Sequence, residues 1–253
     1  MTPTRAELPR IVVWFSAGAA SAVASKLLLS KYDPGRVTIA RVVIPSEHPD
    51  NDRFTADCVR WFNHPVIELK SLRYADTWDV WEKRRFLNGP KGALCTTELK
   101  KMVRHEFQRA DDIQAFGYTL GEEARAQRFR EQNFEVILET PLIEGGLTKA
   151  DCLATLRRAG IEVPAMYKLG YRNNNCIGCV KGGMGYWNKI RVDFPETFAR
   201  MAKLEREIGH SAIGDTFLDE LDPKRGRYSA EADIECSLLC HAAAFPLPKE
   251  PAS

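Results

Sequence analysis

Cys176 and Cys179 stand two residues apart in the run Gly170-Tyr-Arg-Asn-Asn-Asn-Cys-Ile-Gly-Cys-Val-Lys-Gly-Gly-Met-Gly185. Thiols at this spacing can hold one metal centre or share one disulfide. Asparagines before the pair and glycines after it suit a tight knuckle whose backbone amides face sulfur. Cys95 lies far off in sequence, as do Cys236 and Cys240 in Glu235-Cys-Ser-Leu-Leu-Cys-His241. A centre drawing on all of these would tie three distant segments to one point. Four thiolates are what an iron–sulfur cofactor requires, and what zinc often takes. A zinc knuckle or reduced structural thiols is the competing reading. Cys236 and Cys240 are spaced i, i+4 and fit one helical face. Cys58 and Cys152 fall on apolar faces of predicted helices and read as core.

The second chemical signal is the loop Ser16-Ala-Gly-Ala-Ala-Ser21. It follows an apolar run, Arg10 to Phe15, that reads as a buried parallel strand, and it precedes a predicted helix over 19–31. Ligands of open α/β sheets bind outside the carboxyl ends of strands. Small residues let the backbone approach a phosphate, and hydroxyls and helix-start amides can donate to it. The loop lacks the Gly-Lys-Ser/Thr ending of a Walker loop.

The elements that must position these groups alternate. Strands are predicted over 37–44, 66–69, 113–118 and 134–138, with helices over 51–62, 97–108 and 122–132 between them. That order predicts a doubly wound, mostly parallel α/β sheet with helices on both faces. Beyond Pro141 the pattern turns helical, with helices over 148–159 and 195–208. The division expected is an α/β nucleotide-binding domain over 1–145 and a helical, cysteine-rich extension over 146–253.

Composition is ordinary for a globular chain: 44% hydrophobic, 28% charged, net charge +2. So small a net charge does not by itself point to nucleic acid. The local basic clusters (Lys83 to Arg85, Lys100-Lys101 with Arg104, Arg157-Arg158, Lys224 to Arg227) read as solvated faces. Seven cysteines, an odd number, do not suit a secreted disulfide framework. With no signal-peptide pattern and no apolar run of membrane-spanning length, the expectation is a cytoplasmic, reduced protein with no membrane partner.

The loop 16–21 resembles the PP-loop of ATP pyrophosphatases, Ser-Gly-Gly-x-Asp-Ser. Further stretches resemble the phosphoadenylyl-sulfate (PAPS) reductase branch of that adenine nucleotide alpha hydrolase-like superfamily. The resemblance is especially to its phage and mobile-element members, and the chain is similar to the ATP pyrophosphatases of DNA phosphorothioation. These stretches are Ser46-Glu-His-Pro-Asp-Asn51, Ala93-Leu-Cys-Thr-Thr-Glu-Leu-Lys-Lys101, Gly117-Tyr-Thr-Leu-Gly-Glu-Glu-Ala-Arg125, the cysteine knuckle, and Tyr186-Trp-Asn-Lys-Ile-Arg191.

The resemblance implies that Ser16, Ala17, Gly18, Ala19 and Ser21 hold the phosphates of ATP with Mg²⁺. The backbone of Val43 and Ile44 would meet adenine, with Glu47 beside it. Arg125, helped by Arg128, would face the phosphate or sulfate end. It also implies a [4Fe-4S] cluster on Cys95, Cys176, Cys179 and either Cys236 or Cys240, the other thiol handling sulfur. Two departures stand out: Ala17 replaces a motif glycine, and Ala20 replaces the acidic residue.

Three activities follow. The first is adenylation of a nucleic-acid acceptor, in DNA phosphorothioation or tRNA thiolation. Sulfur then displaces AMP, and a cysteine desulfurase would act as donor. The second is reduction of adenylyl sulfate or its 3′-phosphate to sulfite, with Cys236 or Cys240 as the attacking thiol. The third is a nucleotide-binding redox module without turnover. A homodimer is compatible with any of them.

Overall fold

The computed structural model describes residues 8–89, 92–231 and 234. Along the chain β1 (Ile11–Trp14) leads to α1 (Ala19–Lys31), β2 (Val37–Val42) to α2 (Asp50–Phe62), and β3 (Val66–Leu69) to α3 (Thr77–Arg84). A short antiparallel pair, β4 (Asn88–Gly89) and β5 (Gly92–Ala93), precedes a three-part helix. Its parts are α4 (Leu94–Thr96), a π turn over Thr97–Lys101 and α5 (Met102–Phe107). Then come β6 (Ile113–Ala115), α6 (Glu123–Gln132) and β7 (Ile137–Glu139). The helices after the sheet are α7 (Pro141–Glu144), α8 (Lys149–Arg158), α9 (Ala165–Lys168), α10 (Met184–Asp193) and α11 (Pro195–Ile208).

The main sheet has the order β3-β2-β1-β6-β7, and every pairing in it is parallel. It is the α/β architecture expected from the alternating pattern. Winding runs outward in opposite directions from β1 and β6, so the crevice between their carboxyl ends is the topological switch point. β1 is buried at all positions because both faces of the sheet are covered. Ile11 and Val13 join one apolar cluster with α1, α2 and α8, while Val12 and Trp14 join another that extends through α5, α10 and α11. α1 carries Ala19, Ala22, Ala24 and Ser25 on buried positions, and such small side chains let it lie close to both the sheet and α8.

α2 is anchored at its start. Asp50 accepts from Arg53 Nε and Nη2 at 2.7 and 2.8 Å and from the Ala165 amide at 2.8 Å. Arg53 beside it holds the carboxyl below its ordinary range. A carboxylate with a depressed folded pKa adds stability that is full above its unfolded pKa and fades as pH falls through the folded one. Asp50→Asn is therefore expected to lower stability by about 1–2 kcal/mol at neutral pH. The difference from wild type should begin to narrow in urea melts near pH 4, where the unfolded carboxyl starts to protonate, and close only below the depressed folded pKa.

Several elements depart from expectation. α3, α7, α9 and α10 have no counterpart among the predicted helices. Tertiary packing of Trp78, Trp81 and Trp187 decides α3 and α10. The helix expected from 97 begins at Leu94, which places Cys95 inside its first turn. β6 stops at Ala115, because Phe116 to Thr119 leave the ladder to form a cavity wall. α8, beyond the expected boundary at 145, packs on α1. Among the described residues no helix is long and apolar enough to cross a membrane.

Candidate nucleotide site and thiol knuckle

The loop after β1 is folded around one hydroxyl. Ser21 Oγ donates to the Gly18 carbonyl at 3.0 Å, so it accepts from both the Ser16 amide and the Ser16 hydroxyl, each at 3.1 Å. The amides at the start of α1 are thereby held at the helix's positive end, where an anion is favoured. Ala17 has φ 52°, the left-handed region in which a β-carbon is strained. Its carbonyl is held by Asn174 Nδ2 at 2.7 Å. Ala17→Gly restores the residue that this backbone favours and is expected to raise stability by roughly 0.5–1 kcal/mol, read as a higher Tm.

Above the loop lies a cavity of about 520 Å³. Its floor and walls come from the carboxyl ends of three strands: Trp14 to Ser16, Val42 with Glu47, and Phe116 to Thr119. Among the described residues three cations also line it, Lys100, Arg125 and Lys149. Arg125 donates to Glu122 Oε1 at 2.6 Å and lies 5.4 Å from the Tyr118 ring centroid. Lys149 donates to Asn173 Oδ1 at 2.5 Å. It occupies the first turn of α8, where the helix dipole disfavours a cation, so its position suits an anion in the cavity better than it suits the helix. Lys100, Lys101 and Arg104 are buried, not solvated, which corrects the reading of that basic cluster as a surface face. The wider π turn puts Lys100 over the cavity, as π turns often do at functional sites.

A chain of hydrogen bonds connects the parts. Asn174 Nδ2 donates to Asn51 Oδ1 at 2.7 Å, and Asn51 Nδ2 donates to Glu47 Oε2 at 3.1 Å. Lys100 Nζ reaches Glu47 Oε1 at 3.5 Å. The loop after β1, the segment after β2, the helix of Cys95 and the knuckle thus form one polar unit.

Cys95, Cys176 and Cys179 are all buried and all belong to the same apolar cluster. Gly178 between the last two has φ +77°, and a β-carbon there would lie 2.7 Å from Thr197 Cγ2. Tyr186 Oη accepts from the Cys179 amide at 2.9 Å and donates to the Cys176 carbonyl at 3.3 Å, pinning the turn. Burial, with Cys179 next, pushes that phenol well above its ordinary pKa. Among the described residues no three His, Cys, Asp or Glu side chains form a group that could hold a metal. Cys236 and Cys240 lie outside the described residues. Cys95, Cys176 and Cys179 therefore do not by themselves make up such a group. Cys58 and Cys152 are fully buried elsewhere, and burial pushes their thiols up to about 12 and about 11. Both are core, as their helical faces predicted.

The chain returns to this site near its end. Glu231 accepts from the Gly185 and Tyr186 amides at 2.5 and 3.1 Å, at the start of α10. Arg172 donates to the Glu231 and Ser229 carbonyls. Asn173 and Asn175 both donate to the Ile234 carbonyl, at 3.3 and 3.1 Å, and Ile234 lines the cavity.

Of the residues expected to bind nucleotide, Ser16, Gly18, Ser21, Glu47 and Arg125 line the cavity. Ala17 and Ala19 are buried in and behind the loop. Val42 lines the cavity, whereas Val43 and Ile44 are not in its lining. Arg128 is exposed and also stands outside it. Lys149, Tyr167 and Asn174 were not anticipated. A lysine in a helix's first turn was the one local signal for Lys149, and the asparagine run read only as turn formers.

No family model matches the chain, and no curated protein matches its sequence. Solved structures that align with this chain include the following two. The U34-tRNA thiolase NcsA from Methanococcus maripaludis, with its [4Fe-4S] cluster, aligns over 82% of this chain and 75% of its own, at 11% identity and TM-score 0.36. The phosphate complex of phosphoadenylyl-sulfate (PAPS) reductase from Candida auris aligns over 68% of this chain and 83% of its own. Its identity is 12% and its TM-score 0.50, a likeness of fold. The chain shares its α/β fold with that reductase.

Proposed function

We propose that the cavity binds ATP and that the protein adenylates an acceptor so that sulfur can replace oxygen on it. The observation that carries this reading is the meeting of a phosphate-suited loop, three cations and two thiol-bearing segments around one cavity. Lys100 comes from the helix of Cys95, and Asn173 to Asn175 run straight into Cys176.

In this reading an acceptor oxygen attacks the α-phosphorus, the bond to the β-phosphate bridge breaks, and pyrophosphate leaves. The amides of Gly18 to Ser21 and the Arg125 guanidinium stabilise the charge gathering on the departing phosphates. Attack by sulfur on the adenylated atom then breaks its bond to oxygen and releases AMP. Among the described residues Glu47 and Glu122 are the lining carboxylates, and Ala20 offers none. Mg²⁺ would therefore be held mainly by phosphate oxygens, with Glu47 as its protein partner. Cys95, Cys176, Cys179 and one of Cys236 or Cys240 would hold a [4Fe-4S] cluster, which supplies sulfur or electrons. The acceptor proposed is a nucleic acid, DNA or tRNA, with a cysteine desulfurase as sulfur source.

A second reading is favoured by the cations together with Ala20: reduction of a sulfonucleotide. Here a thiolate attacks the sulfate sulfur, the S–O bond to the phosphate breaks, and the nucleotide leaves. A second thiol, from thioredoxin, then attacks the sulfur of the bridged cysteine and releases sulfite, forming a disulfide. The two readings separate in one assay, pyrophosphate from ATP against sulfite from adenylyl sulfate with reduced thioredoxin. Arg125→Ala is expected to weaken ATP binding about tenfold, one lost hydrogen bond to a charged group, and Ser21→Ala about as much, because the hydroxyl that holds the loop in shape is lost. Unchanged affinity in both variants would remove the cavity from the mechanism. Binding with neither product would leave a nucleotide-responsive module.

A further inference from the structure

We infer that Asn174 reads the sugar of the bound nucleotide, its Oδ1 accepting a hydrogen bond from a ribose hydroxyl. The inference rests on the nucleotide reading above. Asn174 is 8% exposed and lines the cavity. Both of its amide hydrogens are used, on the Ala17 carbonyl and on Asn51 Oδ1, each at 2.7 Å. The orientation of the amide follows from these partners. A flip would set Oδ1 against the Ala17 carbonyl, which can only accept. Asn51 is fixed in turn, since its own Nδ2 donates to Glu47. Asn174 Oδ1 is thus held as an acceptor, and it has no hydrogen-bond partner among the described residues.

A buried acceptor without a partner is unfavourable, so a ligand that brings a donor gains from meeting it. Phosphate oxygens bring none and already have the loop amides. The donors of an adenine nucleotide are the two ribose hydroxyls and the exocyclic amine of the base. Asn174 holds the carbonyl of Ala17, the residue before Gly18 of the phosphate loop. The sugar is bonded directly to the phosphates, while the amine lies at the far edge of the purine. The hydroxyl is the donor that reaches. If it is the 3′-hydroxyl, nucleotides phosphorylated there are rejected at the same atom.

The test is equilibrium titration of the full chain with ATP, 2′-deoxy-ATP, 3′-deoxy-ATP and the triphosphate lacking the 6-amino group. One deoxy analogue is expected to bind about tenfold more weakly than ATP, the size of one hydrogen bond. Asn174→Ala is expected to bind ATP and that analogue equally. Equal affinity of the unaltered chain for ATP and both deoxy analogues would overturn the inference, and would do so even where the variant fails to fold. A deoxy penalty that persists in Asn174→Ala, or a loss that follows the 6-amino group instead, overturns it as well. Failure of every nucleotide to bind would overturn the nucleotide reading itself.

Discussion

Gly117→Ala is expected to cut nucleotide affinity on the order of 100-fold while the chain stays folded. A β-carbon at Gly117 would lie 2.7 Å from the Ser21 amide nitrogen and 2.8 Å from Ala20 C and Ser21 Cα. These are backbone atoms in the first turn of α1, so no side chain can swing aside. Either the end of β6 or the start of α1 must move. The overpacking is expected to cost about 1–3 kcal/mol, within the total stability of roughly 5–15 kcal/mol usual for a domain. The phosphate amides sit in that same turn, and so binding suffers more than stability. Gly121→Ala is the control: it lines the same cavity, but its added methyl meets nothing within 4 Å. Calorimetric titration with ATP, paired with thermal melts, checks both effects. Wild-type affinity in Gly117→Ala would show that the loop does not hold phosphate.

The second large effect is expected at the knuckle. Protein purified without oxygen should contain about four irons and matching sulfide per chain, with broad visible absorption. Cys176→Ala should lose the colour and most of the iron, because Tyr186 and Gly178 leave the turn no freedom to recruit another ligand. Cys58→Ala should keep both, since that thiol is buried in the other apolar cluster and held protonated. Comparing Cys236→Ala with Cys240→Ala then identifies the fourth ligand by the same iron count. Zinc, or no metal, in the unaltered protein would remove the cluster and leave the nucleotide cavity to stand alone.

Local sequence alone determined a good part of this protein. The helices over 19–31 and 195–208 and the strand over 66–69 are legible to the residue, because helix and strand periodicities and their stop signals are local. The parallel, doubly wound sheet follows from their alternation, and the loop at Ser16 follows from where strands end. Tertiary structure decided what depends on partners far away in the chain. Lys100 belongs to a basic run that looks solvent-facing, yet the π turn and the packing of Leu99 and Val103 beneath it turn it toward Glu47. Asn174 looks like one turn former in a run of three. It becomes an oriented acceptor only when Ala17, 157 residues away, and Asn51, 123 residues away, take its two hydrogens. Periodicity reports which face a residue occupies in its own element. It carries no information on which carbonyl from another element will meet that face, and a binding site is made of such meetings.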